Sequence, residues 1–432
     1  MKSRIPGWRL VASSLLCLFA SGNLIAANTS VPTGTEITLQ EVLSRAVEQN
    51  PALAVYPYRL RAADAAVIQS SLRPQPELSV EVENIAGDAP LNGVEGAQIT
   101  VALSQLIELG NKRDSRSEVA TRALNTEQQG YAIARLDVLG EAVTRYITLA
   151  RFEEELALAE RTLALAEKAE QAARRRVNAG AAPKADLTRM ILASRHADIA
   201  RRRADMERGR ASQQLAALWG QQGADQLHTA TSLRPLPKLP PRKQILDRLE
   251  QAPELLQLAS ETRLHAAQSR LANARGSRDV TVSVGARHDR VDDNNTLVLG
   301  FSVPLNLKNP NRGNIARAES QLAASEAQLQ ARRIELVATL DTLYRSLSLL
   351  REELSLINES ALPLAKQLYA DIEDGYRSGR YSLLELIDAQ QEQLNLEYRA
   401  INLAAQFHLQ RNELERLTGL PFSQADEQEN SQ

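Results

Sequence analysis

Hydrophobic and polar residues alternate along four short segments of the chain. The same period of two runs through residues 78–83, 99–104, 280–286 and 297–303. This alternation predicts four β-strands that each present one apolar face. Two environments produce such a pattern: a sheet with one face in lipid and the other in water, or a sheet packed on helices.

Two much longer segments, 111–178 and 312–377, have the Ala-, Leu-, Glu- and Arg-rich composition of helices. Each is followed by a short break and a final helix, and a helix of roughly 35 residues is expected before each pair of strands. Continuous helices of this length span about 100 Å, which exceeds the diameter of a globular domain. The residues expected to kink or interrupt them are Gly130, Gly140 and Pro363.

The order helix, two strands, long helix and final helix occurs twice in the chain. Gly180 corresponds to Gly379, and Gly220 corresponds to Gly419, both at an offset of 199 residues. Matches in one order at a nearly constant offset indicate an internal duplication. The predicted divisions are a signal peptide (1–27), a first repeat (28–220), a Pro-rich linker (221–241), a second repeat (242–420) and a disordered polar tail (421–432).

The first 27 residues have the layout of a secretory signal peptide. Basic residues precede the apolar stretch 10–20, and small residues follow at Ala26 and Ala27. The stretch is shorter than the about 20 apolar residues of a membrane-spanning helix. Because Cys17, the single cysteine, lies inside this segment, the exported chain is expected to lack disulfides. The chain is expected in the periplasm or in an outer membrane crossed by strands.

The composition argues against a compact enzyme. Aromatic residues make up only 4% of the chain, so a large globular core is not expected. Basic and acidic residues are nearly balanced, 51 against 53, and no basic face indicates a nucleic-acid partner. The sequence has no phosphate-binding glycine loop and no Cys–His arrangement, so neither a cofactor nor an enzymatic activity is predicted.

Two stretches carry a family resemblance. They are Glu-Asp-Gly-Tyr-Arg-Ser-Gly-Arg-Tyr at 373–381, followed by Leu-Ile-Asp-Ala at 386–389, and Leu-Ser-Gln-Leu-Ile-Glu-Leu-Gly-Asn-Lys-Arg at 103–113. Together with the duplicated order of elements, they resemble the TolC-like outer-membrane efflux proteins. The stretch at 103–113 is similar to the heavy-metal, cobalt–zinc–cadmium branch, which usually has a second glycine at the position of Asn111.

The resemblance implies a mainly α fold with a small β part. Four strands per chain would close a 12-stranded β-barrel in outer-membrane lipid as a homotrimer, and the duplicated long helices would form a coiled-coil barrel across the periplasm. It also implies an exit duct completed by a periplasmic adaptor (membrane fusion) protein and an inner-membrane, proton-driven RND transporter. The expected cargo is a divalent heavy-metal cation such as cobalt, zinc or cadmium.

The breaks at 178–183 and 378–382 correspond to the family's periplasmic tips. A glycine at each break allows a tight turn. A helical hairpin turn without further function accounts for the same pattern. The residues that the resemblance assigns to adaptor docking are Gly180, Ala181, Gly379 and Arg380.

Glu385 and Asp388 lie three residues apart on one predicted helix face. They match positions where the family has acidic residues lining the closed mouth, and a trimer would hold three copies of each. Asp186 is the corresponding acid of the first half, and Tyr376 and Arg380 are expected to contribute to a latch. The alternative is a solvated helix face or an ion pair with Arg380 or another basic neighbour.

Glu81 and Glu83 of the first predicted strand are expected to face the lumen and to favour cations weakly. No metal site is predicted, because the five histidines show no ligand spacing and the exported chain has no cysteine. His288 and Asp289, with two further aspartates at 292–293, are expected to form a polar turn between the third and fourth strands.

Two other functions remain open at this level. A channel of the same family that exports drugs or small molecules would carry the same elements, because a duct contacts its cargo only in transit. A soluble periplasmic coiled-coil adaptor or structural protein would have the long helices without membrane-spanning strands. An enzyme is the least favoured class.

Overall fold

The computed structural model describes residues 36–85, 93–221, 227–229, 231–234, 236–305, 309 and 311–419. The predicted signal peptide and polar tail lie outside these residues. The helices are α1 (Leu39–Gln49), α2 (Tyr56–Ser71), α3 (Lys112–Asn178), α4 (Lys184–Ala216), α5 (Arg242–Asp247), α6 (Pro253–Ala274), α7 (Arg312–Leu356), α8 (Leu362–Arg377) and α9 (Leu383–Thr418). The strands are β1 (Glu36–Ile37), β2 (Glu77–Glu83), β3 (Gln98–Ile107), β4 (His228–Thr229), β5 (Val280–Asp289) and β6 (Asn294–Ser302).

The longest helix, α3, runs for 67 residues without interruption, which corresponds to about 100 Å. The prediction that Gly130 or Gly140 would break it was wrong. A glycine costs a helix only about 1 kcal/mol, which packing along its length can offset. The space left at Gly140 is used by α9, since Asn412 donates from Nδ2 to the Gly140 carbonyl over 2.8 Å.

The corresponding stretch of the second half is interrupted, as the sequence predicted. Helix α7 ends at Leu356, residues Ile357–Ala361 form one π-helical turn, and α8 begins at Leu362 with Pro363 in its first turn. Proline has no N–H to donate and clashes with the preceding turn, so a wider turn accommodates it. The two halves therefore share an order of elements but differ in the continuity of their long helix.

The structure has two helices before each pair of strands. The sequence predicts one long helix there, so that prediction was wrong. In the first half α1 ends before Asn50-Pro51, and in the second α5 and a short 3-10 turn end before Pro253. The residue before a proline is disfavoured in the helical region. Asn50 is extended (ψ 122°), and its side chain accepts from the Ala52 N–H and donates to the Leu218 carbonyl.

All four predicted strands form one antiparallel sheet with the order β2-β3-β5-β6. The register pairs Leu78 with Leu103, Leu103 with Val284, and Val284 with Leu299. The alternating apolar residues of all four strands therefore lie side by side on one face of the sheet, and the residues that alternate with them lie on the other face. In the described part of the chain, β2 and β6 are edge strands, each with one side unpaired within the sheet.

The main hydrophobic core lies near the middle of α3, where α1, α4, α7 and α9 also contribute buried side chains. Leu149, Leu215, Leu340 and Phe407 are among its most buried members. Packed layers of helices thus replace a globular core, which agrees with the low aromatic content. Among the described residues, no helix is long and apolar enough to cross a membrane.

Part of the segment predicted to be a linker packs against this core. Strand β4 pairs in parallel with β1, and the Thr229 N–H donates to the Glu153 carboxylate of α3. The Leu233 N–H donates to Glu154 in the same way over 3.0 Å, and the Leu233 side chain is buried. The crossover between the two repeats is therefore fixed to the side of the helices.

Candidate functional site

The two breaks between the long helices have the same local geometry. At the end of α3, Gly180 has φ +71° and the Ala181 N–H donates to the Arg176 carbonyl over 2.8 Å. At the end of α8, Gly379 has φ +77° and the Arg380 N–H donates to the Gly375 carbonyl over 2.7 Å. Both are Schellman endings, in which a left-handed glycine closes the last turn. The predicted hairpin turns are thus confirmed at both positions.

All four residues predicted for docking are exposed at these turns: Gly180, Ala181, Gly379 and Arg380. Arg380 donates from Nε to the Ser378 hydroxyl over 3.1 Å. Pro183 is the N-cap of α4. The two glycine turns, which form the tips of the hairpins, present backbone and small side chains to the surroundings.

The tips pack against each other through a small apolar cluster. Its buried members are Ala173 of α3, Met190 of α4 and Leu383 of α9. Tyr376 of α8 packs on this cluster, and the Arg176 guanidinium lies 4.7 Å from the centre of its ring. A cation over a ring face is attracted by the π electrons. Tyr376 therefore contacts the other tip within one chain through Arg176, a residue that no sequence motif had singled out.

Glu385 of the predicted gate has a structural role at the start of α9. Its carboxylate accepts from the Ser382 N–H over 2.7 Å, and the Glu385 N–H donates to the Ser382 hydroxyl over 3.3 Å. This reciprocal pair is a capping box, which satisfies amides that the first turn leaves free. The Ser-x-x-Glu spacing is the sequence signature of this cap, although Glu385 was predicted only as a gate acid.

The capping box also sets how Glu385 titrates. Hydrogen bonds from the backbone and the hydroxyl of Ser382 hold the pKa of the Glu385 carboxyl below its ordinary value. A carboxyl whose pKa is lower in the folded chain adds stability above its unfolded pKa and loses it as pH falls through the folded pKa. The contribution of Glu385 is therefore complete at neutral pH and declines only in acid.

The other predicted gate residues are close to these tips. Asp388 is exposed one turn after Glu385, and Asp186 is half-buried in the first turn of α4. Within the described residues, neither Asp388 nor Asp186 forms an ion pair. The alternative of an ion pair between Arg380 and Glu385 is not found there, since Glu385 bonds to Ser382 and Arg380 to Ser378.

The four-stranded sheet has two faces of opposite character. One face is apolar and exposed; Leu297, Leu299 and Phe301 of β6 each expose 73–74% of their surface. Every Asp, Glu, Lys and Arg of the four strands lies on the other face by the alternation of side chains. The charged residues of that face are Glu77, Glu81, Glu83, Arg287 and Asp289.

Two glycines show how closely the strands approach on the polar face. A Cβ placed at Gly285 would lie 2.8 Å from the Ala102 Cβ, and one placed at Gly300 would lie 3.6 Å from the Ser283 Cβ and closer still to its hydroxyl. Facing Cβ atoms in an antiparallel pair are about 4.5–5.5 Å apart. Neighbouring strands therefore come close at both positions, and a side chain there would collide with the facing residue.

The turn between β5 and β6 is polar, as predicted. His288 Nδ1 lies 3.1 Å from the Asn295 Oδ1, and Asp289 accepts from Gln98 Nε2 over 2.7 Å. Among the residues that the structure describes, no group of three or more His, Cys, Asp and Glu side chains is placed to hold a metal ion. His288 and Asp289 are instead bonded to their neighbours in the sheet.

The family-like stretch at 103–113 forms the junction between the sheet and α3. Gly110 and Asn111 both have positive φ, +74° and +58°, and asparagine is among the residues that best tolerate this region after glycine. This geometry explains why a glycine is usual at the position of Asn111. The junction is secured by charge pairs, since Arg116 binds Glu108 over 2.7 Å and Lys112 binds Asp279 over 2.7 Å.

A family model described as "Outer membrane efflux protein" matches residues 42–221 and 245–420. The chain therefore belongs to the outer membrane efflux protein family, and the resemblance drawn from its motifs is confirmed. The two matched ranges coincide with the two repeats and leave out most of the crossover segment between them.

Individual relatives agree with this assignment. The chain is 26% identical over 383 residues to the cobalt-zinc-cadmium resistance protein CzcC of Cupriavidus metallidurans, covering 89% of this chain and 90% of the relative. It is 26% identical over 309 residues to the nickel-cobalt-cadmium resistance protein NccC of Alcaligenes xylosoxydans xylosoxydans, covering 71% and 68%. Neither CzcC nor NccC is named as an enzyme, which agrees with the expectation from the sequence.

The fold matches solved structures over most of its length. The outer membrane protein VceC of Vibrio cholerae has a TM-score of 0.74 at 19% identity, covering 89% of this chain and 97% of VceC. The mainly helical fold with a small sheet is thereby confirmed.

The capping box gives a direct test of the tip geometry. Replacing Ser382 by Ala removes the acceptor for the Glu385 N–H, at a cost of about 1 kcal/mol. We expect the amides of the first turn of α9 to exchange hydrogen about fivefold faster, measured by mass spectrometry at neutral pH. Thr188→Ala is the control, because the Thr188 hydroxyl only bonds to a carbonyl within α4. Equal exchange at residues 383–385 in both variants would contradict the assigned cap.

Proposed function

We propose that the chain is the exit duct of an efflux pump, formed as a homotrimer in the outer membrane. The observation that carries the proposal is the sheet, whose apolar face suits lipid and whose polar face suits water. A duct through a membrane needs both surfaces on the same strands. A soluble protein would instead leave Leu297, Leu299 and Phe301 exposed to water, which the hydrophobic effect opposes.

The edges of the sheet support the assembly. Strands β2 and β6 each have one unpaired side within the chain, and unsatisfied backbone groups in lipid cost several kcal/mol each. If β6 of one copy pairs with β2 of the next, three copies close a barrel of twelve strands. Four strands alone are too few, since barrels need at least about eight.

The helices are assigned to the periplasm. Both long hairpins leave the sheet on one side and reach the tips after about 100 Å. The tips would meet a periplasmic adaptor protein, which joins the duct to an inner-membrane RND transporter. The exposed residues Gly180, Ala181, Gly379 and Arg380 are the proposed contacts.

Divalent heavy-metal cations such as cobalt, zinc or cadmium are the proposed cargo. The support comes from the relatives CzcC and NccC, which are named as resistance proteins for such metals. Acidic side chains outnumber basic ones on the polar face of the sheet, which suits the passage of cations. The second candidate is the export of drugs or small molecules, because no group of side chains in the described residues is placed to hold a metal ion.

The tips are proposed to gate the duct. In a trimer, Asp388 and Glu385 would each contribute three carboxylates around the mouth, with Asp186 nearby on α4. Like charges repel as a mouth narrows, and a cation between them relieves the repulsion. Tyr376 with Arg176 would hold the two hairpins of each chain in the closed arrangement. Arg380, which bonds to Ser378 within its own turn, is the second proposed latch residue.

A single introduced charge tests which face of the sheet contacts lipid. Leu299→Lys places a cation on the apolar face and is expected to cost about 2–4 kcal/mol near the bilayer centre. We expect it to lower the amount of protein in the outer-membrane fraction and the trimer band on an unheated gel. Thr296→Lys on the polar face of the same strand is the control and should assemble. Equal loss in both variants, or a wild-type chain recovered as a soluble monomer, would contradict the duct.

The proposed cargo is tested by measuring growth of the host on metal salts. Deleting the gene is expected to lower the tolerated concentrations of cobalt, zinc or cadmium salts, and the plasmid-borne wild type should restore them. Tolerance to drugs is measured in parallel. Unchanged metal tolerance with increased drug sensitivity would reject metal export and favour the second candidate.

The gate is tested by conductance in planar bilayers. Glu385→Gln with Asp388→Asn removes both charges, and glutamine retains the capping box. We expect divalent cations added on the tip side to block the double variant less than the wild type. Asp374→Asn is the control, because Asp374 is an exposed acid of α8 that neighbours Arg377. Block that is unchanged in the double variant would show that these acids are ordinary surface residues.

A further inference from the structure

The charges of the polar face are not evenly balanced. Four carboxylates lie on this face, and Arg287 is its only basic residue within the four described strands: the acids are Glu77, Glu81, Glu83 and Asp289. On the proposed function, which this inference presupposes, the face lines the duct. Arg287 is near the end of the sheet that is farthest from the helices, one row inside Asp289.

Arg287 is held in place across three strands. From β5 its Nε donates to the Thr100 hydroxyl of β3 over 3.0 Å, and its guanidinium lies 3.4 Å from the Glu83 carboxylate of β2. Thr100 itself is buried, so the arginine lies over it and points toward β2. Two acceptors on two other strands fix the position of this positive charge.

The carboxylates at this end of the sheet differ in whether a neighbouring group in the described strands binds them. Glu83 faces Arg287, and Asp289 accepts hydrogen bonds from Gln98 Nε2 and from the Val291 N–H. The Glu81 carboxylate is exposed and has no side-chain hydrogen bond or ion pair among the described residues. The register places Glu81 opposite Thr100, on the other side of that residue from Arg287. Glu81 therefore keeps an uncompensated negative charge in the same row as Arg287.

We propose that Arg287 and Glu81 together set the charge selectivity of the outer end of the duct. Glu81 attracts cations to this row, and Arg287 limits the attraction because its fixed positive charge offsets the charge of Glu83. Three copies of each residue form the row in the assembled duct. The duct therefore prefers cations at this end, and its preference is weaker than the number of carboxylates alone suggests.

The test measures the reversal potential of single channels of the purified full-length protein. A gradient of KCl at about 0.1 M keeps charges effective over about 10 Å. We expect the wild type to be cation-selective, Arg287→Gln to raise the cation-to-anion permeability ratio about two- to fivefold, and Glu81→Gln to lower it by a similar factor. Arg287→Lys retains the charge and should stay near the wild type. Thr296→Ala, an uncharged change in the same row, is the control.

The outcomes separate this inference from the proposed function. If the wild type conducts but the permeability ratios of Arg287→Gln and Glu81→Gln equal those of Thr296→Ala, the inference is wrong. The proposed function as a duct is then unaffected. If the wild type forms no channel in any bilayer, the proposed function itself fails. If Arg287→Gln does not assemble, Glu81→Gln and Arg287→Lys still decide, since loss of selectivity in Arg287→Lys would overturn the role of charge.

Discussion

An antiparallel sheet with two free edges and one apolar face cannot exist alone in either water or lipid. Water disfavours the exposed face of Leu78, Leu297 and Leu299, and lipid disfavours the unpaired backbone groups of β2 and β6. Pairing between copies in a membrane removes both costs at once. The remaining parts of the chain extend from this sheet.

The two halves of the helical part share one order of elements but differ in the continuity of their long helix. The first half leaves the sheet through the junction at Gly110 and Asn111. Each half has a long helical stretch, turns at a left-handed glycine and returns to end at a second one, Gly220 or Gly419. The main core lies at the level where α1, α7 and α9 meet α3. At the tips the helices bury a much smaller cluster, which contains Ala173, Met190 and Leu383.

The sequence predicted the four strands, both tips and the duplication, because alternation, glycine turns and repeat offsets are local signals. It also contained the Ser382-x-x-Glu385 spacing of a capping box and the Asn50-Pro51 break, neither of which was predicted as such. The contacts of Arg176 with Tyr376 and of Arg287 with Glu83 join residues about 200 apart in the chain. They depend on cross-strand register and helix rotation, which periodicity alone does not determine.

The central claim is that the edges β2 and β6 are paired between copies of the chain. Electron cryo-microscopy of the full-length protein in lipid nanodiscs tests it most directly, by counting the strands that cross the bilayer. We expect a closed ring of twelve strands from three chains, with β6 of each beside β2 of the next and Leu299 facing lipid. A four-stranded sheet lying outside the bilayer, or a particle with unpaired edges, would contradict it.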